Sequence, residues 1–228
     1  MHKNSHFKIY ISIVAVILLA ILFFGFRVYN KYALDSEVEK ILNKDLTSGT
    51  FNKDTITFFE YKKVEFAIKS YIYDYSNNIQ KANNIINDSK IKQVLSAKNY
   101  ESDGPKFTKS LALLSSKKEE FNKIIEKLIH MNDEKVILSY IEKEKISDDF
   151  KDLYKKYMLN RNNQSDLKKN KELIQEISNK GILVFETDEK VINLLKNNTD
   201  KWVVKDSKIY FYSNSVMKEY NELVEKVK

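Results

Sequence analysis

The apolar positions of this chain follow three patterns in turn. Residues 9–26 form a run of 18 residues without a charged side chain, bounded by Lys8 and Arg27. At 1.5 Å per helical residue the run reaches about 27 Å, close to the hydrocarbon thickness of a bilayer. It is apolar on every side, which suits lipid better than a one-sided core. Residues 9–26 are therefore read as a transmembrane anchor, with the lipid bilayer as partner, after a cytoplasmic tail at residues 1–8.

Beyond the run the pattern becomes periodic. Leu34, Val38, Ile41 and Leu42 share one face of a short helix continuing from the membrane. Thr47-Ser48-Gly49-Thr50 breaks it, so residues 27–50 read as a juxtamembrane helix and linker. Phe58, Tyr61, Ile68, Ile72, Tyr75, Ile79, Ala82 and Ile86 then alternate by threes and fours, with only Glu65 out of place. Phe107, Leu111, Leu114, Phe121, Ile125 and Leu128 repeat the alternation, with Lys118 as the exception. Each set predicts a coiled-coil-like helix with one narrow seam. A connection at residues 99–106, whose only proline, Pro105, is expected to start the next helix, lets the two pack antiparallel. Shorter helices are expected at residues 136–146 and 148–159, the second capped by Ser147. A polar interruption at residues 160–165 and a helix at 167–179 stopped at Gly181 complete a bundle over residues 51–180.

The last stretch changes to period two. Trp202-Val203-Val204 and Ile209-Tyr210-Phe211 flank a polar tetrapeptide and predict a β-hairpin with a short helix on each side, so residues 181–228 read as a small α+β element packed on the bundle. The expected fold class is mainly α: a transmembrane helix, an extracytoplasmic helical bundle and a small C-terminal β-hairpin. Phe58, Ile72, Leu114, Phe121 and Trp202 are the expected packing anchors.

Composition narrows the class. The absence of cysteine excludes disulfide-stapled and zinc-thiolate folds and lipoprotein processing. Phe23 stands where cleavage after Gly25 would need a small residue, so the anchor is expected to stay attached. Lys3, Lys8 and the amino terminus precede the span. After it, Arg27, Lys31 and Lys40 are offset by Asp35, Glu37 and Glu39, which favours a cytoplasmic N-terminus and a C-terminal domain on the far side. Tyr10, Tyr29 and Tyr32 fit an interfacial belt. Abundant Lys, Asn and Ile are the bias of an AT-rich genome and suggest a low-GC bacterium.

Candidate chemistry is sparse. Two of the three histidines, His2 and His6, precede the span, leaving only His130 after it. There is no phosphate-binding glycine loop, HExxH or nucleophile elbow, so neither enzyme nor cofactor is expected. Asp148, Asp149 and Asp152 suit a helix N-terminus better than a metal. Tyr71, Tyr73 and Tyr75 are read as core and rim of a helix. With only Arg27 and Arg161 as arginines and lysines mixed with acids, as in Lys117-Lys118-Glu119-Glu120, nucleic acid is not an expected partner. Two functions remain: a membrane-anchored, non-enzymatic interaction or scaffold module with partners or self-association through its seams, or a ligand-binding or sensory bundle. Glu65 and Lys118 discriminate, since polar groups facing an enclosed apolar space would orient a ligand.

Overall fold

The computed structural model describes the backbone of residues 3–47, 49–159 and 164–226, and the side chains of 15–47, 49–159 and 170–226. His2, Ser48, residues 160–163 with Arg161, and the side chains of Lys3, His6, Lys8 and Tyr10 lie outside it, so the interruption read at 160–165 is described only from Gln164. In chain order the elements are α1 (Lys3–Leu42), α2 (Phe59–Ile86), α3 (Ser89–Val94), α4 (Ala97–Asp103), α5 (Thr108–Met131), α6 (Glu134–Glu142), α7 (Asp148–Met158), α8 (Gln164–Asn197), β1 (Trp202–Lys205), β2 (Lys208–Phe211) and α9 (Asn214–Glu225). The protein is mainly helical, with one small antiparallel sheet near its C-terminus. Two compact units divide it: Met1–Asp74 with Glu134–Arg161, and Tyr75–Asp133 with Asn162–Lys228.

In the first unit the anchor run and the juxtamembrane segment are one helix, α1, of 40 residues and about 60 Å. Its surface changes character midway. Val16, Leu19, Leu22, Phe23, Phe24 and Val28 are exposed, whereas Asn30, Leu34, Val38 and Ile41 form a buried stripe at helical spacing. Around that stripe the core gathers Val64, Ile68, Tyr71 and Ile72 of α2, Ile137 and Ile141 of α6, and Phe150, Tyr154 and Tyr157 of α7. Tyr71 meets Tyr140 edge-on at 5.5 Å, Tyr61 meets Phe150 at 4.8 Å, and the Tyr154 hydroxyl donates to the Ile137 carbonyl at 2.8 Å.

The seam of α2 is wider than its heptads imply. Residues 67–72 are buried without interruption, so this stretch is enclosed on all sides. The polar Lys69 is buried among them because it has ionic partners, which periodicity does not encode.

The second unit is a helical layer closed by the hairpin. The C-terminal part of α2 runs antiparallel to α5, with Asn78 reaching Met131 (3.6 Å) and Asp88 near Lys117 (3.9 Å). The helix expected to stop at Gly181 runs on to Asn197 as α8, because Gly181 serves close approach and not a cap. A Cβ there would stand 2.2 Å from the Phe121 ring, which abuts the α8 backbone and lies 5.8 Å from the Phe185 ring. The connection before α5 is likewise more ordered than expected, folding into α3 and α4. Pro105 does not start the next helix. α5 begins at Thr108 and is capped by Asp103, whose carboxylate accepts from the N–H groups of Lys109 (3.1 Å) and Ser110 (2.7 Å) and from the Ser110 hydroxyl (2.7 Å).

β1 and β2 pair antiparallel in the register Trp202↔Phe211 to Lys205↔Lys208. Asp206 and Ser207 both have positive φ, as a two-residue type I′ turn requires. Trp202 places its indole on Tyr100 and Phe107 and donates to the Leu195 carbonyl at 2.8 Å, so the hairpin is docked by one aromatic cluster. Tyr220 of α9 completes it through a 3.1 Å hydroxyl contact with Tyr100.

Candidate functional site

The most constrained polar assembly lies in the first unit, where α1 turns from exposed to buried. Lys69, on the enclosed stretch of α2, points its ammonium at two carboxylates: Glu37 of α1 and Glu65 one turn back on α2, each at 2.8 Å. Glu65 is fully buried. Its oxygens also accept from the N–H groups of Ile56 (3.0 Å) and Thr57 (2.9 Å) and from the Thr57 hydroxyl (2.7 Å). The Lys69 ammonium further donates to the Asp54 carbonyl. One salt-bridged triad thus ties together α1, the segment 54–57 and α2.

Burial alone would raise the Glu65 carboxyl, yet donors from Lys69, Thr57 and Ile56 outweigh it and hold it below the usual carboxylate range. For Lys69 burial works to lower the ammonium, and the hydrogen bonds to Glu37 and Glu65 raise it instead. Both partners therefore stay charged through neutral pH. With its lone pairs engaged by its own chain, Glu65 presents no free acid or base to a substrate, and the triad acts as a clamp.

A second tie lies about two turns nearer the apolar run. Asn30 donates to the Phe26 carbonyl at 2.9 Å and accepts the Phe58 N–H at 2.8 Å. Between these two grips the chain turns outward. Phe59, the first residue of α2, has a φ of 54°, uncommon for an aromatic residue. Phe58, expected as a packing anchor, is instead 52% exposed, since the left-handed residue after it takes position 58 out of the helical register. Its ring and that of Phe59 stand 5.7 and 5.6 Å from the Phe26 ring.

The other anticipated positions fall as follows. Ile72 is buried in the first unit, and Leu114 and Phe121 in the second; Trp202 is partly covered. Lys118 does not face an enclosed space; it pairs with Glu189 of α8 at 3.3 Å, both about one third exposed. Tyr71 and Tyr75 are core, while Tyr73 lies on the surface beneath the Lys53 ammonium.

Asp188 escaped the sequence reading. It is only 4% exposed, has no hydrogen-bond partner among the described residues, and lines a cavity of about 270 Å³ whose walls are both apolar (Ile91, Leu95, Val184) and polar (Asn87, Lys92, Lys180). Burial pushes its carboxyl up to about 7. On sequence it is one acid among many, since nothing local announces its burial. Lys69, by contrast, was detectable as the i+4 partner of the misplaced Glu65.

Among the described residues no three His, Cys, Asp or Glu side chains are grouped to hold a metal ion. The chain matches no protein-family model, no curated protein and no solved structure.

Proposed function

We propose that this protein is an uncleaved, single-pass membrane protein that carries a non-enzymatic interaction or scaffold module outside the cytoplasm. The observation behind this reading is α1. Among the described residues it is the one helix long and apolar enough to cross a membrane, and only 6% of the qualifying window is buried. A core helix would be covered by its own protein, whereas an apolar surface of this extent left bare in water would be an aggregation liability. The same helix passes unbroken into the stripe gripped by Lys69 and Glu65, so the domain is mounted rigidly on its anchor. Saturation of the Glu65 carboxylate by its own chain favours contact over catalysis.

Protease added to intact protoplasts digests the chain from about Arg27 onward if the orientation is right, and full protection overturns it. Release by alkaline carbonate overturns the anchor. Crosslinking in membranes followed by mass spectrometry tests the scaffold role: reproducible protein partners are expected, and they disappear when residues 34–228 are removed.

The Asp188 cavity favours one other reading, a bundle that holds a small ligand. A buried carboxylate without a hydrogen bond, in a pocket it shares with apolar side chains and with Asn87, Lys92 and Lys180, has capacity for an ammonium or hydroxyl donor. A thermal shift of the purified protein with n-butylamine, lost in Asp188→Asn, combined with no crosslinked partner, would favour this reading over the scaffold.

A further inference from the structure

A groove of about 380 Å³ opens beside the apolar part of α1, walled by Phe23 and Phe26 of α1, Phe59 and Tyr61 of α2, and Phe150 of α7. Its volume is within the range of small-molecule sites, and its walls are almost wholly aromatic. Three polar groups line its edge, of which Asn30 is engaged by the Phe26 carbonyl and the Phe58 N–H. Glu60 is engaged by the Ser147 N–H at 3.2 Å. Arg27 has no carboxylate partner among the described residues; its guanidinium lies over the Phe23 ring at 5.8 Å. The groove therefore combines an apolar slot with an Arg27 guanidinium free of carboxylate contact at its lip, while the Glu60 carboxylate on the same edge is held toward the start of α7.

The turn leading into α2 extends the same surface. Ile56, Phe58 and Phe59 are 52%, 52% and 77% exposed, an arrangement that water alone would not favour. It is also imposed, since Glu65 and Asn30 grip the backbone N–H groups of Ile56, Thr57 and Phe58, and Phe59 takes a left-handed conformation at a cost. Aromatic side chains in this setting are those that settle at the boundary between headgroups and acyl chains. The exposed apolar surface of α1 runs into the groove without a polar break from Leu22 to Phe26.

We infer that this groove binds an anionic phospholipid of the surrounding membrane, an acyl chain lying among Phe23, Phe26, Phe59 and Tyr61 and the phosphate paired with Arg27. Arginine suits this role because its fork makes two parallel hydrogen bonds to a phosphate. The assignment rests on the membrane reading of α1, and the test separates the two.

The full chain carrying Phe59→Trp is reconstituted into vesicles of equal parts phosphatidylglycerol and phosphatidylcholine, with bromine on the acyl chains of one lipid at a time. The unsubstituted chain, whose one tryptophan is Trp202, supplies the blank. Tryptophan at position 59 is expected to be quenched more strongly when phosphatidylglycerol carries the bromine, and Arg27→Gln should abolish that preference while quenching persists. Equal quenching by both lipids, or none, overturns the inference. Carbonate extraction of the same vesicles distinguishes the causes: a chain that resists extraction yet shows no preference loses only the groove, whereas a chain that is extracted loses the anchor and the groove together. Native mass spectrometry of the unsubstituted chain gives a second readout. Phosphatidylglycerol should be retained over phosphatidylcholine, and retention without selectivity counts against the site.

Discussion

The two units solve the problem of a buried interior by opposite means. The first places a charged triad at its centre and saturates it, so that Glu37, Glu65 and Lys69 hold α1 and α2 together through directional contacts. The second, apart from Asp188, relies on shape: the Phe121 ring abuts Gly181, and Tyr100, Phe107 and Trp202 interlock around the hairpin. A saturated ion-pair network contributes geometry more than net stability, because desolvation offsets much of its attraction. That suits a unit in which the long helix α1 must keep its register on α2. Interdigitated rings contribute mainly through dispersion and burial and tolerate no change of volume. The comparison teaches that the first unit should break when a charge is removed and the second when a methyl group is added.

The largest effect is expected at the triad. Lys69→Met keeps most of the side chain's length but leaves the buried Glu65 carboxylate without a cation, and should cost the first unit roughly 3–5 kcal/mol. Denaturant-dependent hydrogen exchange would register this as lost protection in the amides of residues 34–42 before those of α8. Equal loss in both units would remove the distinction drawn here.

The units should also differ in sign towards pH. Glu65 is held low, so its contribution is complete above the ordinary glutamate value and is lost as pH falls through its lower folded value. Asp188 runs the other way. Its folded carboxyl titrates near 7 against 3.8 in the open chain, so the second unit is most stable when Asp188 is protonated in both states and weakens as pH rises between those values. At 1.36 kcal/mol per unit the difference approaches about 4 kcal/mol, an upper figure. Asp188→Asn should therefore flatten the decline of the second unit between pH 4 and pH 8 in urea titrations. An unchanged slope would mean that Asp188 finds a partner or water.

How much of this was legible beforehand depended on whether the signal was local. The apolar run, the heptad alternation and the hairpin were readable because burial on one face repeats along the sequence. Glu65 and Lys118 stood out for breaking that repeat, and Lys69 was within reach as the i+4 neighbour of Glu65, but the distant partners were not. Glu37 lies 32 positions from Lys69 and Glu189 lies 71 from Lys118, and nothing in a sequence pairs residues across such distances. Gly181 was read through its common role as a helix terminator, whereas its actual role depends on a ring 60 positions away. Phe58 satisfied the spacing of its helix and still fell outside it, because Asn30 grips its N–H and turns the chain.

A smaller effect is expected at the ring-on-backbone contact. Gly181→Ala puts a methyl group 2.2 Å from the Phe121 ring and should cost the second unit about 1–3 kcal/mol, despite the better helix propensity of alanine. Trimming the ring in the same chain tests the cause, since Phe121→Leu should partly rescue Gly181→Ala in a double-mutant cycle. A gain in stability for Gly181→Ala alone would show that the two helices can separate freely.

The smallest expected effect compares the two units at a single type of feature, the start of a helix. In the second unit the Asp103 carboxylate takes the N–H groups of Lys109 and Ser110 and the Ser110 hydroxyl, so Asp103→Ala strands two donors at the first turn of α5. The loss should be roughly 0.5–2 kcal/mol, the usual range for removing a capping side chain. In the first unit Ser147 is the residue immediately before α7, with extended backbone, and its side chain makes no capping hydrogen bond. Ser147→Ala should therefore change stability by less than about 0.5 kcal/mol, as an ordinary surface substitution does. Asp103→Asn supplies the control, because an amide oxygen still accepts from the backbone although it carries no charge to favour the helix dipole. If Asn restores most of what Ala removes, hydrogen bonding to the α5 N-terminus accounts for the effect; if it restores little, the charge does. A cost at Ser147 as large as that at Asp103 would show that the first unit also depends on a side-chain cap, and the contrast between the two units would then have to rest on their cores alone.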